Sequence, residues 1–330
     1  MLIRLLVMLL VTVGLTANTL AQDGSSKNNP AAAVAKRLEK KQTYDLRYKL
    51  KPGDKINFLF EQVVSTETRM GGEEERTTSR SQTSKQWEVK NVDSLGRMTF
   101  GLKWTAVNMW QKIGDNDPIK YDSETDAKVP EEYETIAGLV GETIAVFSIT
   151  DSGEIVGKLS DLGDSSFGAG EVTVPLPGKP VSVGHRWNVP TVLNATDERR
   201  KSIRLKARIS YQLAKVETNK AFISFRTEVL TPVKSEKVRS TIMQQMTDGY
   251  IVFDIKRGYP ILRRVDWDEK AQGFEGPDSL LTYVGRATEK VKLSPVQATN
   301  QLKSKLSPLV ANRPKQVELR TRDAKPITRK

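Results

Sequence analysis

Apolar and polar residues alternate with a period of two along most of this chain. Met98, Phe100, Leu102, Trp104, Ala106 and Trp110 share one parity while Thr99, Lys103 and Thr105 take the other, which predicts one long amphipathic strand over 98–110. Ile203, Leu205, Ala207, Ile209, Tyr211 and Leu213 alternate with Ser202, Arg204, Lys206, Arg208, Ser210 and Gln212 and predict a second. Ile56, Phe58 and Phe60 begin another, interrupted by Leu59, and shorter runs predict strands at 143–149, 221–230, 238–246, 250–255 and 261–267. Helical periodicity is sparse. Pro130 before Glu131 and Glu132, with Tyr133, Ile136, Ala137 and Val140 on one face, predicts a single short amphipathic helix, and Asn29-Pro30 opens another over 31–41. Clean alternation means one dry face and one wet face, the habit of antiparallel sheets. The fold class this implies is mainly β (α+β): two related antiparallel sheet domains curled around small helices, as an open half-barrel or a sandwich-like arrangement.

The second half of the sequence echoes the first. Pro52-Gly53-Asp54-Lys55-Ile56 matches Val183-Gly184-His185-Arg186-Trp187, Trp87 to Val92 matches Tyr211 to Val216, and Val146 to Ile149 with Gly153 beyond matches Val252 to Ile255 with Gly258 beyond. Order is kept while the offset shrinks, so the first copy carries an insertion, assigned to 115–130 and the helix after it. The expected organisation is a leader at 1–21, a linker and helix at 22–43, a first β domain at 44–160, a Gly/Ser-rich linker at 161–170, a second β domain at 171–293, and a tail at 294–330.

Arg4, the apolar run from Leu5, and the ending Thr19-Leu20-Ala21 read as a secretory signal cleaved after Ala21, too short in its apolar part to span a bilayer. The expected location is therefore the periplasm or the cell exterior, with no spanning segment in the mature chain. Formal net charge is +12, but residues 286–330 carry +9 of it, so the basicity belongs to a tail that is proline-punctuated and poor in large apolar residues. Residues 44–160 sum to −5 and residues 171–285 to +6. A nucleic-acid partner does not fit an exported chain, whereas an anionic envelope polymer or membrane surface does.

Reactive chemistry is scarce. Zero cysteines exclude disulfides, thiolate metal sites and a cysteine nucleophile, and the single histidine, His185, excludes a His-pair zinc site. The chain lacks G-x-S-x-G, Ser-x-x-Lys and phosphate-loop signatures. Asp122, Glu124 and Asp126 are spaced like the start of a calcium loop, but Ala127 replaces the required glycine and Tyr133 the closing glutamate. Glu73-Glu74-Glu75 after Gly71-Gly72 reads as a solvated hairpin tip. No catalytic, cofactor or metal residue is assigned, and no cofactor is implied.

The strand entry Lys51-Pro52-Gly53-Asp54, together with the segment Pro175 to Trp187 (PLPGKPVSVGHRW), resembles an uncharacterised family of exported bacterial β-rich proteins with a duplicated domain. Most of residues 44–293 are covered, and Asp is usual in that family where this chain has His185, so the resemblance implies a β-rich exported protein and transfers no catalytic residue. In architecture the expected layout is also similar to the open half-barrels that carry lipids across the periplasm.

Two stripes carry the remaining functional expectation. Phe100, Trp104 and Trp110 on one strand face read as core bulk or as the lining of an apolar pocket between sheet and helix. Arg204, Lys206 and Arg208, pointing one way beside Arg199, Arg200 and Lys201, read as a solvated face or as a strip for an anionic partner. The leading expectation is a non-enzymatic binding or scaffold protein holding an apolar or amphiphilic, lipid-like ligand in a sheet concavity. Its alternatives are a carbohydrate-active hydrolase with a carboxylate pair and an envelope scaffold tethered by the basic tail.

Overall fold

The computed structural model describes residues 42–159 and 173–292. The leader, the helix expected over 31–41, the linker at 161–170 and the tail from residue 294 lie outside the described residues. In the first half the strands are β1 (Thr43–Tyr44), β2 (Lys55–Met70), β3 (Glu73–Val92), β4 (Met98–Ile113), β5 (Ile119–Asp122), β6 (Thr143–Ile149) and β7 (Ile155–Leu159). The second half supplies β8 (Val181–Ser182), β9 (Arg186–Thr196), β10 (Ser202–Glu217), β11 (Lys220–Val229), β12 (Asp248–Asp254), β13 (Tyr259–Gln272) and β14 (Leu280–Val291). Helix is confined to a 3-10 turn at Glu131–Tyr133 running into α1 (Glu134–Ala137), and to α2 (Glu236–Ile242) running into a 3-10 turn at Met243–Gln245.

Twelve strands form one open antiparallel sheet in the order β7-β6-β4-β3-β2-β14-β13-β12-β11-β10-β9, with β5 added beside β4. Each half contributes a five-strand meander laid down in the same direction, and each interrupts it with a short helical excursion before its fourth strand. Strand β14 joins the two by pairing with β13 on one side and with β2 on the other, from Val291 opposite Phe58 to Leu280 opposite Arg69. The strand entries are built alike. Gly53 N–H donates to Val89 O at 2.8 Å and Val89 N–H returns to Asp54 O at 2.9 Å; in the second half Gly184 N–H donates to Leu213 O at 2.7 Å and Leu213 N–H to His185 O at 3.0 Å. Both glycines hold a positive φ, 86° and 90°, that an L side chain resists.

The sheet curls because one short segment ties together turns that lie far apart along it. Tyr48 N–H donates to Asp151 O in the β6–β7 turn at 2.8 Å, and the next amide, Lys49, donates to Gly258 O in the β12–β13 turn at 3.2 Å. Successive amides of an extended chain point to opposite sides, so this strap joins both meanders by its backbone alone. Leu46, Tyr48 and Leu50 are buried beneath it among Phe58, Trp87, Phe100 and Phe147 of the first half and Tyr211, Phe225, Ile251 and Phe253 of the second. Aromatic contacts run through this core: Phe58–Trp87 at 5.0 Å, Trp87–Phe100 and Tyr48–Phe253 at 5.6 Å, and Trp187–Tyr211 at 5.5 Å between ring centres. Such pairs add about 0.5–1.5 kcal/mol each beyond the area they bury.

Two expectations are corrected by the geometry. The strand expected over 238–246 is α2 and its 3-10 extension. Val238 and Ile242, four apart, both face a buried cluster on β9 and β10, and an even-numbered apolar pattern satisfies the helical period as well as the strand period. The long strand at 98–110 forms, as part of β4, but its residues do not share one face throughout. A bulge at Thr105 breaks the register between Lys85 opposite Trp104 and Ser84 opposite Ala106, so the buried parity passes from Trp104 to Val107, and Trp110 faces outward beneath Arg80 at 4.9 Å.

One free edge of the sheet is closed off by side chains. On β9 the Asn194 N–H donates to Gln245 Oε1 at 3.0 Å, and Gln245 Nε2 donates to Asn194 O at 2.7 Å, reproducing the paired bonds of a neighbouring strand. Thr241 Oγ1 accepts the Thr196 N–H at 3.1 Å, and Pro190, at the same parity of the strand, has no N–H to offer.

Two outcomes are expected. Gly153, with φ +82°, has room for a Cβ only 2.4 Å from Val174 O, and Gly258, with φ +75°, only 2.5 Å from the Lys49 backbone, so Gly153→Ala and Gly258→Ala each lower the unfolding free energy by about 2–4 kcal/mol in denaturant titrations. Gly141→Ala, with a positive φ in open space, costs about 1 kcal/mol. Gln245→Ala exposes the β9 edge, and concentration-dependent self-association by sedimentation is the expected result, absent in the parent protein at the same concentration.

Candidate functional site

The inner face of the sheet is laid out by register. Near the strap it is filled: a cavity of about 10 Å³ lies among Phe58, Trp87, Val174, Pro260, Leu262, Arg263 and Glu289, room for about one water molecule. A buried ion pair lies at this level. Lys85, 1 % exposed, places its ammonium 3.2 Å from Glu289 and 4.1 Å from the centre of the Phe60 ring. Charges of this kind cost several kcal/mol to dehydrate and are held by their mutual attraction, so removing one partner is far more damaging than the pair is stabilising.

Farther from the strap the inner face is covered at both sides and bare between them. On one side Tyr133, Ile136 and Val140 pack over Trp104, Val107 and Tyr121. On the other, α2 covers Leu193, Leu205 and Ala207, while Met243 packs with Val64, Tyr283 and Ala271. Between these covers β2 and β3 present Gln62 opposite Ser81 and Thr66 opposite Thr77, with Ser79 opposite Val64, which Met243 covers, and β4 follows with Met109 opposite Ser81. Apart from buried Val64, these side chains are half-buried and uncharged, and those of Thr66, Thr77, Ser79 and Ser81 are short. The result is a trough with a hydroxyl- and amide-bearing floor and apolar margins at Met109 and Leu281. It offers many hydrogen-bonding groups, no nucleophile–base pair, and no ionised group on the floor.

Glu269, opposite Tyr283 on the inner face of β13, stands near this margin. Burial pushes its carboxyl above the usual carboxylate range, with Asp268 and Asp248 reinforcing the shift and Arg239 opposing it. On the outer face Asp266 behaves in the opposite sense. Burial alone would raise it, but Arg264 at 2.8 Å and Arg286 at 2.6 Å together hold it below its ordinary value.

The three aromatic residues predicted to line one pocket are placed apart. Phe100 is fully buried in the strap core, Trp104 lies under the Tyr133 cover with its Nε1 buried and without a hydrogen-bond partner among the described residues, and Trp110 is on the outer face. Arg204, Lys206 and Arg208 do share the outer face of β10, and Arg208 Nε donates to Glu228 at 2.7 Å. His185 stacks its ring on Trp187 beside the strand entry, at 6.3 Å. The carboxylates of Asp122 and Asp126 accept backbone N–H groups within their own turn, and among the described residues no cluster of three potential metal ligands occurs. A separate cleft of about 320 Å³ opens at the strand ends among Arg69, Gly72, Gln272, Pro277, Asp278 and Ser279, with one carboxylate on its wall. The trough was missed from sequence because threonine and serine on a strand read as solvated positions; the signal was the clustering of Thr77, Thr78, Ser79, Ser81, Thr83 and Ser84, with Arg80 the one charge among them.

No family model matches this chain, and no curated protein does. Among solved structures, 74 % of the chain aligns with 26 % of a lipovitellin chain, from a structure describing lipid–protein interactions in lipovitellin, at 11 % identity and a TM-score of 0.47. The present chain thus spans about a quarter of that protein's length. Among the described residues no helix is long and apolar enough to cross a membrane.

The carboxyl of Glu269 gives a pH test. Its folded-state pKa is raised, so the folded protein binds the proton more tightly than the unfolded chain, and ionisation destabilises the fold above the folded value. Glu269→Gln therefore raises the melting temperature at neutral pH, and the difference from the parent closes as pH falls below about 4, where both states are protonated.

Proposed function

We propose that this is an exported, non-catalytic binding protein built of two related halves, 44–160 and 171–293, that holds an amphiphilic ligand along the trough between the two helical covers. The observation that carries the reading is the composition of that strip: uncharged hydrogen-bonding side chains of β2 and β3 bordered by the apolar side chains of Met109 and Leu281. A ligand with polar groups along one edge and a hydrocarbon body finds both kinds of partner there, and small side chains leave the backbone within reach. The packed strap core supports the same placement, since its void of about 10 Å³ is far below the volume of any lipid-like molecule. An apolar ligand behind Phe100 and Trp104 has no comparable support.

The test is a titration of the purified protein with a fluorescent long-chain amphiphile. Saturable binding that Ser79→Trp and Thr66→Trp each weaken about tenfold or more, with unchanged far-UV circular dichroism, is the expected result. Absence of saturable binding, or binding that both variants leave unaltered, overturns the reading.

A further inference from the structure

We infer that the outer face of the β9–β10 hairpin is a docking surface for an anionic phospholipid bilayer. The face carries cations in a row. Arg204 and Lys206 alternate with buried Leu205 and Ala207, so both side chains project from the same side of β10, exposed and without an ion-pair partner among the described residues. Alternate residues on one strand stand about 7 Å apart. Arg199, Arg200 and Lys201 extend the row into the hairpin tip and are also exposed. Of the two tip acids, Asp197 turns its carboxylate to the backbone N–H groups of Arg199 and Lys201 at 2.9 and 2.8 Å, and exposed Glu198 makes no ion pair with them among the described residues. Arg208 is different: Glu228 holds it, which ends the free positive row at Lys206.

The second observation separates a bilayer from a soluble polyanion. Leu230 is 52 % exposed and sits directly beside the cations, its own N–H donating to Lys206 O at 2.8 Å. The preceding Val229 pairs with inward Ala207, so Leu230 falls on the outer parity with Lys206. Thr231 locks the place from below, accepting the Lys206 N–H at 2.9 Å and donating its own N–H to Lys206 O at 3.1 Å. An exposed leucine fixed among unpaired cations gains nothing from a hydrated polymer of phosphates or sulfates. It gains from the acyl boundary of a membrane, while the cations meet the headgroup phosphates. This surface is on the opposite face of the sheet from the trough, so the inference stands independently of the ligand proposed there.

The experiment is co-sedimentation of the full-length protein with phosphatidylcholine vesicles containing about 30 % phosphatidylglycerol, against vesicles of phosphatidylcholine alone. Binding to the anionic vesicles that weakens with added salt is expected. Arg204→Gln with Lys206→Gln lowers the partition coefficient about tenfold or more, at about fivefold per cation, and Leu230→Ser lowers it several-fold at unchanged charge. All these positions are exposed, and unchanged thermal unfolding confirms that each variant is folded. Vesicle binding that survives the double substitution places the contact elsewhere and overturns the inference. Equal binding to soluble polyphosphate, with Leu230→Ser without effect on vesicles, identifies a polyanion site and overturns it too.

Discussion

Two neighbouring amides hold this fold in shape. The Tyr48 and Lys49 N–H groups point opposite ways and reach turns that belong to different halves of a single sheet, at 2.8 and 3.2 Å. A twelve-stranded sheet left to its ordinary twist would splay into a propeller; the strap draws one end of it closed over a shared apolar core. Glycine is required where the strap crosses, because Gly153 and Gly258 leave no room for a methyl group against it. The curvature in turn decides where a ligand has space. At the strap end the aromatic side chains meet across the interior, and at the other end they are replaced by short hydroxyl side chains that cannot.

Charge is distributed to match. On the outer face, acids and bases pair along and across strands, as at Asp266 with Arg264 on its own strand and Arg286 on the next, and at Glu61 with Lys290. Such exposed pairs contribute little to stability individually, and their effect is to fix register and discourage wrong pairings. Lys85 with Glu289 is an inward pair, and its place between the filled core and the trough marks the border between the two environments. The same outward pairing lapses at Arg204 and Lys206, which is what makes that stretch of surface stand out.

The strand content, the inward and outward faces of β10, and the hairpin at Gly71-Gly72 were legible in the sequence because period-two alternation, together with two glycines in a row, has few other solutions. The similar strand entries at Gly53 and Gly184 were legible for the same reason: both need a backbone conformation that other residues avoid. Other features depended on information the pattern lacks. A single added residue at Thr105 inverts every later side chain of β4, and nothing about threonine announces it, so Trp110 was read onto the wrong face. Val238 and Ile242 fit either period, and only the apolar patch of β9 and β10 beneath them selects the helix. The trough was hidden because whether a serine on a strand meets solvent or a concavity depends on curvature imposed by a strap and two turns on other parts of the chain.

The pairing of β14 with β2 has a temporal meaning. Phe58 lies opposite Val291, so the strand at the middle of the sheet is the last of those described to be made, and it must find a neighbour synthesised among the first. Until it arrives, β2 and β13 each present an unpaired edge, and neither meander is flanked on both sides. Long-range closure of this kind is slow and leaves sticky edges exposed while it waits. Chain elongation and maturation are thus coupled at one seam, and a helper that shields bare strands during that interval would act here before anywhere else.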